Sequence, residues 1–206
     1  MKVLVFGANG KTGGLVVDRA LAKGHEVTVL VRDAGKFKRQ GVRVLTGDAT
    51  KLADVKNAMQ GQEAVIESIG GTTPYKPTSL ESTSVHNMVE TMKSEGVRRL
   101  IVVSMMGIGE SRSQAPFWYK YLLMPTFLRG STADKTRMEG IVASSGLDYV
   151  IARPPILKDD PPTGSVKVLG SGAIGHSITR ADLADFLVEQ LQAGDHVGKA
   201  ATVVNK

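Results

Sequence analysis

The sequence predicts an α/β fold: a doubly wound parallel sheet with helices on both faces, built as a single domain of 206 residues. Three observations lead to it. Short β-branched runs alternate with stretches whose apolar residues recur at helical spacing. The joins between them are short, as repeated βαβ units require. A strand runs straight into a glycine-rich junction and then a helix, in "VFGANGKTGG" near the start of the chain.

The elements follow in order. Residues 2–6 form the first strand. Residues 12–23 form a helix with Leu15, Val16, Ala20 and Leu21 on one stripe and Gly24 as its stop. "EVTVLV" at 26–31 is the second strand, and 42–46 is the third. A short helix fits 52–59, and 64–68 is the fourth strand. Residues 80–94 carry helix-spaced Val85, Met88, Val89 and Met92, closed by Gly96. "LIVVS" at 100–104 is the fifth strand.

The rhythm then changes. "MMGIGESRSQ" reads as loop, and "APFWYKYLLMPTFLRG" is apolar, aromatic and broken by Pro125. A helix over 131–145 takes Ser131 or Thr132 as N-cap and Gly146 as stop. Residues 148–152 are the sixth strand, and "RPPILKDDPPTG" is a proline-rich loop. A short strand fits 166–169. Thr179 caps a helix over 181–191, with Asp182 as its capping-box partner. A last strand covers 201–204.

Composition excludes several classes. There is no cysteine, so disulfides and thiolate chemistry are ruled out. No apolar run is long enough to span a bilayer, and "MKVLVFGANG" does not read as a signal peptide. A cytoplasmic protein without membrane attachment is expected. The net charge of +6 suits an anionic cofactor or substrate. The basic residues are scattered and do not alternate with stacking aromatics, so no nucleic-acid partner is expected. The four histidines lie far apart, and no metal site is expected. Asp159 and Asp160, adjacent in a loop, point apart and belong in solvent.

In sheets of this class ligands bind beyond the carboxyl ends of the strands, where strand order reverses. The first strand ends in Gly7-x-x-Gly10-x-x-Gly13, a spacing that differs from G-x-G-x-x-G but serves the same physics. Gly7 permits a tight turn, Gly10 a close approach of backbone to a pyrophosphate, and Gly13 a close helix. Amides near Lys11, Thr12 and Gly13 would meet the phosphates at the positive helix end. The context points to a Rossmann-like dinucleotide loop; the competing reading is a tight strand–helix turn with nothing bound.

The second strand is followed by Arg32, where NAD-selecting folds place an acid for the ribose 2′-hydroxyl. Arginine suits a 2′-phosphate, which favours NADP(H) over NAD(H); otherwise Arg32 is solvated and Asp33 takes the ribose. Asp48 and Ala49 stand where adenine would lie, although Asp48 serves equally as a helix cap with Thr50. Gly70 and Gly71 allow backbone beside the cofactor ribose. Ser104 and Met105 fall near the nicotinamide.

Of ten aromatic residues, half lie between Phe117 and Phe127, on the side where substrate belongs. Phe117, Trp118 and Tyr121, with Met105 and Met106 upstream, are the expected walls for a planar substrate. The competing readings are a core-packing helix, an oligomer contact or, least favoured, a membrane-surface helix.

"VFGANGKTG", "VTVLVRD", "GDAT", "VVSMMG", "SGLDYVIARPPIL" and "ITRADLADFL" together resemble the atypical short-chain dehydrogenases/reductases with an NAD(P)-binding, NmrA-like domain. Within that group the chain is most similar to the biliverdin-IXβ reductase/flavin reductase branch. The resemblance implies one NAD(P)-binding domain over 1–206, with substrate-side segments near 105–130 and 153–165. It implies NADPH-dependent hydride transfer to flavins or linear tetrapyrroles, by a monomer or homodimer. It places Gly7, Asn9, Gly10, Thr12, Gly13, Arg32, Asp48, Ala49, Gly70, Gly71 and Ser104 along the cofactor. Pro154, Pro155 and Ile156 would close around the nicotinamide.

The chain departs from the family where acid catalysis is concerned. The Tyr-x-x-x-Lys pair of short-chain dehydrogenases falls here on Ser131 and Lys135. A serine of the branch falls on Met105, and its histidines on Lys135 and Ile156. Alcohol–ketone chemistry by the usual tyrosine route is not expected. Flavin reduction tolerates these changes, because a flavin accepts hydride once it is stacked on the nicotinamide and water supplies the proton. Ser104 and Lys135 are the candidate catalytic residues; Lys135 is either a ribose ligand and electrostatic helper or an exposed charge. Two other readings remain: an NADP(H)-binding sensor without turnover, and a quinone or enone reductase.

Overall fold

The computed structural model describes residues 1–71, 73–170 and 172–205. Along the chain run β1 (Lys2–Phe6), α1 (Lys11–Ala22), β2 (Glu26–Val31), β3 (Val42–Thr46), α2 (Leu52–Met59), β4 (Ala64–Glu67), α3 (Leu80–Glu95) and β5 (Arg99–Val103). Then come α4 (Arg129–Ala143), β6 (Asp148–Ala152), β7 (Ile156–Lys158), β8 (Val166–Val168), β9 (Ser177–Thr179), α5 (Arg180–Glu189), β10 (Lys199–Ala201) and β11 (Val203–Asn205). Among the described residues no helix is long and apolar enough to cross a membrane.

Seven strands form one parallel sheet in the order β3-β2-β1-β4-β5-β6-β10. The order reverses at β1, which pairs with β2 on one side (Val5 opposite Val29) and with β4 on the other (Val5 opposite Ile66). Alternation along β1 sends Val3 and Val5 to one face and Leu4 and Phe6 to the other. Val16, Val17 and Ala20 of α1 cover the first face, together with Leu183 and Leu187 of α5. Val55 and Met59 of α2, Met88 and Met92 of α3, and Met138 of α4 cover the second. Both faces of β1 and β4 are buried, so β1 from Val3 on and β4 up to Ile66 read as continuous apolar runs. β3 is the open edge, only partly buried and carrying Arg43. Arg39 lies over Gly14 and pairs with Asp18 (2.7 Å), fixing the β2–β3 connection to α1.

Several boundaries differ from the sequence reading. α4 starts at Arg129 rather than at a Ser131 or Thr132 cap. A π-helical turn, Tyr119–Leu123, delivers the chain already helical, and the Thr132 hydroxyl donates back to the Leu128 carbonyl (2.8 Å). The proline-rich segment is not all loop: β7 pairs in parallel with β9, Leu157 opposite Ile178. Three residues are too few to display a period. The last strand is two strands. β10 joins the main sheet beside β6, and β11 pairs antiparallel with β8, Val203 opposite Val168.

The capping box at α5 is not reciprocal. The Thr179 hydroxyl accepts from the Asp182 amide (3.0 Å), but the Thr179 amide donates to the Asn205 side chain (2.8 Å). The Asp182 carboxylate instead gathers the amides of Thr163 (2.9 Å) and Gly164 (3.0 Å) and the Asn205 side-chain amide (2.7 Å).

Candidate functional site

The glycine loop sits at the reversal between β1 and β4. Gly7 has φ +79, and a Cβ there would stand 2.5 Å from the Ser68 carbonyl oxygen, so only glycine lets β1 turn beside β4. A Cβ on Gly13 would overlap the Gly7 carbonyl, which fixes how closely α1 sits on the loop. Gly10 is the N-cap of α1 and offers no side chain to it. The Gly14 amide is the first to bond back, to the Gly10 carbonyl (2.9 Å). The amides of Lys11, Thr12 and Gly13 have no acceptor among the described residues, and no acidic residue stands in the first turn. Unmet donors at a positive helix end form an anion site, the fit a pyrophosphate needs. The Lys11 ammonium itself is held by Asp159 (2.5 Å), which also takes Arg180 (2.6 Å). Asp159 and Asp160 are both exposed, as expected, and Asp159 also ties the segment after β7 to the glycine loop.

Gly7, Asn9, Gly10, Arg32, Asp48, Ala49 and Gly70 line one cleft of about 320 Å³. These seven converge there from four strand ends, whereas Thr12, Gly13, Ser104, Pro154 and Ile156, expected along the cofactor, are not among the residues lining it. Arg32 is exposed at the mouth and has no ion pair or hydrogen bond among the described residues. Asp33 is occupied: its carboxylate accepts from the Gly35 amide (3.0 Å) and faces the Lys36 ammonium (3.5 Å). Asp48 does not cap α2, whose N-cap is Lys51; its Oδ1 accepts from the Thr50 amide (2.9 Å) and hydroxyl (2.8 Å) in the turn before the helix. Those bonds hold its carboxyl below the usual range. Gly71 lies beyond the lining residues, and neither Gly70 nor Gly71 has protein within 4 Å of the Cβ position.

Behind the cleft, the ends of β4 and β5 enclose a charged cluster. Ser104 is buried, its amide donates to the Ala152 carbonyl (2.8 Å), and its hydroxyl has no partner among the described residues. Lys135 is not an exposed charge. Its ammonium donates to the Val103 carbonyl (2.9 Å) and pairs with buried Glu81 (2.5 Å). Glu67, fully buried at the end of β4, accepts from the Ile69 amide (2.6 Å). Burial drives its pKa up to about 8, with Lys135 opposing and Glu81 adding to the rise. The sequence reading missed Glu67 and Glu81. The available signal was an acid inside the apolar run "AVIES", where a two-sided buried strand tolerates none without a partner.

The substrate-side segment divides. Met105 and Met106 do not wall an open site; with Ile108, Ala115, Tyr119 and Met124 they form a third apolar cluster, and Met106 is 1% exposed. The segment needs its own small core because it lies outside the main sheet. Phe117 (78% exposed), Trp118 and Tyr121 remain open, with Phe117 and Tyr121 ring centroids 4.7 Å apart. Pro154 is buried beyond β6 and accepts from the Met106 amide (3.0 Å). Ile156 is 41% exposed on β7.

The sequence profile of the family described as NAD(P)H-binding matches residues 7–194. An uncharacterized chloroplastic protein of Arabidopsis thaliana is 30% identical, over 98% of this chain and 76% of its own length. The structure of ChuY, an anaerobilin reductase from Escherichia coli O157:H7, superposes with a TM-score of 0.82 at 26% identity, covering 100% of this chain and 97% of that one. A short-chain dehydrogenase/reductase of Veillonella parvula in complex with NADP shares the fold (TM-score 0.80, 17% identity, 99% and 94% covered). The unmet amides of α1 and the four converging strand ends agree with that assignment. The chain belongs to the NAD(P)H-binding family, as an atypical, NmrA-like short-chain dehydrogenase/reductase.

Proposed function

We propose that the protein is an NADPH-dependent reductase of planar conjugated acceptors, flavins or linear tetrapyrroles. The observation that carries the reading is the inward position of Lys135. Bound to Val103 and Glu81, and with Ser131 four residues before it, this lysine assists no tyrosine-type proton transfer. An acceptor that needs stacking more than a fixed acid suits such a site. The reductase activity of ChuY, 26% identical over the whole of this chain, supports the same class.

When bound, the dinucleotide supplies the hydride. The chain's part is to hold and orient. The Lys11, Thr12 and Gly13 amides take the pyrophosphate, and Arg32 the 2′-phosphate, since Asp33 is engaged in its own turn. Ser104 offers an unpaired hydroxyl beside the reacting ring. Pro154 and Pro155 shield it from the β6 side.

The test is NADPH consumption with FMN, riboflavin, biliverdin and quinones, beside an NADPH titration. Turnover with flavin or bilin is expected. Tight binding with no turnover on any acceptor would replace this reading with a dinucleotide sensor. Turnover confined to quinones would move the substrate class.

A further inference from the structure

A second concavity lies outside the dinucleotide cleft, beneath the π-helical turn. It has a volume of about 410 Å³ and is walled by Arg112, Lys120, Tyr121, Met124 and Arg129, with Thr132 of α4 at its inner end. Three of its lining residues are cationic and none is acidic. Nearby cations are neutralised: Arg137 pairs with Asp134, and Arg153 with Glu110 and Glu139. Arg112, Lys120 and Arg129 have no carboxylate partner among the described residues. Arg129 uses one nitrogen on the Tyr75 carbonyl (3.0 Å), and the Lys120 ammonium lies 5.1 Å from the Tyr121 ring centroid. The first turn of α4 carries no acidic residue, so the helix end adds to the positive field.

One partly buried contact links the wall of this cleft to the chain just after β5. The Thr132 hydroxyl approaches the Met105 sulfur (3.9 Å), and Met105 directly follows Ser104. A planar molecule lying over the end of β5 would extend its arms toward Arg112 and Lys120. We infer that this cleft binds anionic arms, carboxylate or phosphate, carried on a planar conjugated acceptor. The inference rests on the reductase reading above and narrows its substrate to anions. The Tyr121 ring, Met124 and Pro125 supply apolar contact for the ring edge. The guanidiniums supply the planar fork that matches both carboxylate and phosphate.

Paired substrates test it: FMN against riboflavin, which lacks the phosphate, and biliverdin against its dimethyl ester, which lacks the free carboxylates. The charged member of each pair is expected to have a KM lower by about tenfold or more. In Arg112→Ala/Lys120→Ala the preference collapses toward unity, while Arg112→Lys keeps part of it. A preference in the flavin pair alone assigns the cleft to phosphate, and in the bilin pair alone to carboxylate. Equal KM values within both pairs, or a preference unchanged in the double variant, would overturn the inference. Should no acceptor turn over, the reductase reading falls and quenching of FMN fluorescence decides the cleft separately. Binding weakened in the double variant supports it; binding absent, or equal in both proteins, overturns it.

Discussion

At the end of β2 the proposed partner of a 2′-phosphate is the Arg32 guanidinium, which holds no carboxylate among the described residues, while the Asp33 carboxylate accepts from the Gly35 amide. Replacing Arg32 by Ala should therefore weaken NADPH binding by about tenfold or more and leave NADH nearly unchanged. Calorimetric titration of both nucleotides checks this; equal losses would remove Arg32 from the phosphate site. Glu67 makes a different prediction. Its pKa in the folded protein is raised from 4.5 to about 8 by burial. Between those values the folded state holds a proton that the unfolded state has released, so stability falls as pH rises through the window. Melting temperatures should decline from about pH 5 to 8, and Glu67→Gln should flatten that decline while keeping an acceptor for the Ile69 amide. Arg32 was legible from sequence because its position is set by a strand end. Glu67 and the inward turn of Lys135 were not, because each depends on a neighbour far away in the chain: Glu81 for the lysine, and both for the acid.

Two elements carry the geometry of the site. α1 is held against the glycine loop so closely that a Gly13 side chain would overlap the Gly7 carbonyl. Gly13→Ala should cost about 1–3 kcal/mol of stability and weaken NADPH binding, read by thermal unfolding with and without nucleotide. The start of α5 is tied to the segment after β7 through Asp182. Burial raises the Asp182 pKa, but hydrogen bonds from Thr163, Thr179 and Asn205 outweigh it and hold the value at about 2. A depressed pKa contributes stability that is present above the ordinary value and lost as pH falls toward 2. Asp182→Asn should lower the melting temperature at neutral pH and reduce the acid sensitivity of the folded state. The glycines and Thr179 were readable because their roles are local. Asp182 was read as a local cap; its bonds to Thr163, Gly164 and Asn205 belong to tertiary structure.

The molecule as a whole places its dinucleotide cleft at the carboxyl ends of β1, β2, β3 and β4, and its second cleft between the π-helical turn and the start of α4. The doubly wound parallel class followed from the alternation of buried strands and amphipathic helices; the strand order itself was read only from the structure. The end of the chain did not follow. "ATVVN" is one β-branched run in sequence, yet Thr202 divides it between the main sheet and the β8 pairing, because two sheets meet there. The third apolar cluster was likewise hidden, since Met105 and Met106 look the same whether they face a ligand or a core. The central claim is that this scaffold delivers hydride from NADPH to a planar acceptor. It is tested most directly by mixing the protein with NADPH deuterated at the transferring position and FMN or biliverdin, without oxygen. Loss of acceptor absorbance slowed by a primary isotope effect is the predicted result. NADPH bound at the α1 loop with neither acceptor reduced would contradict it.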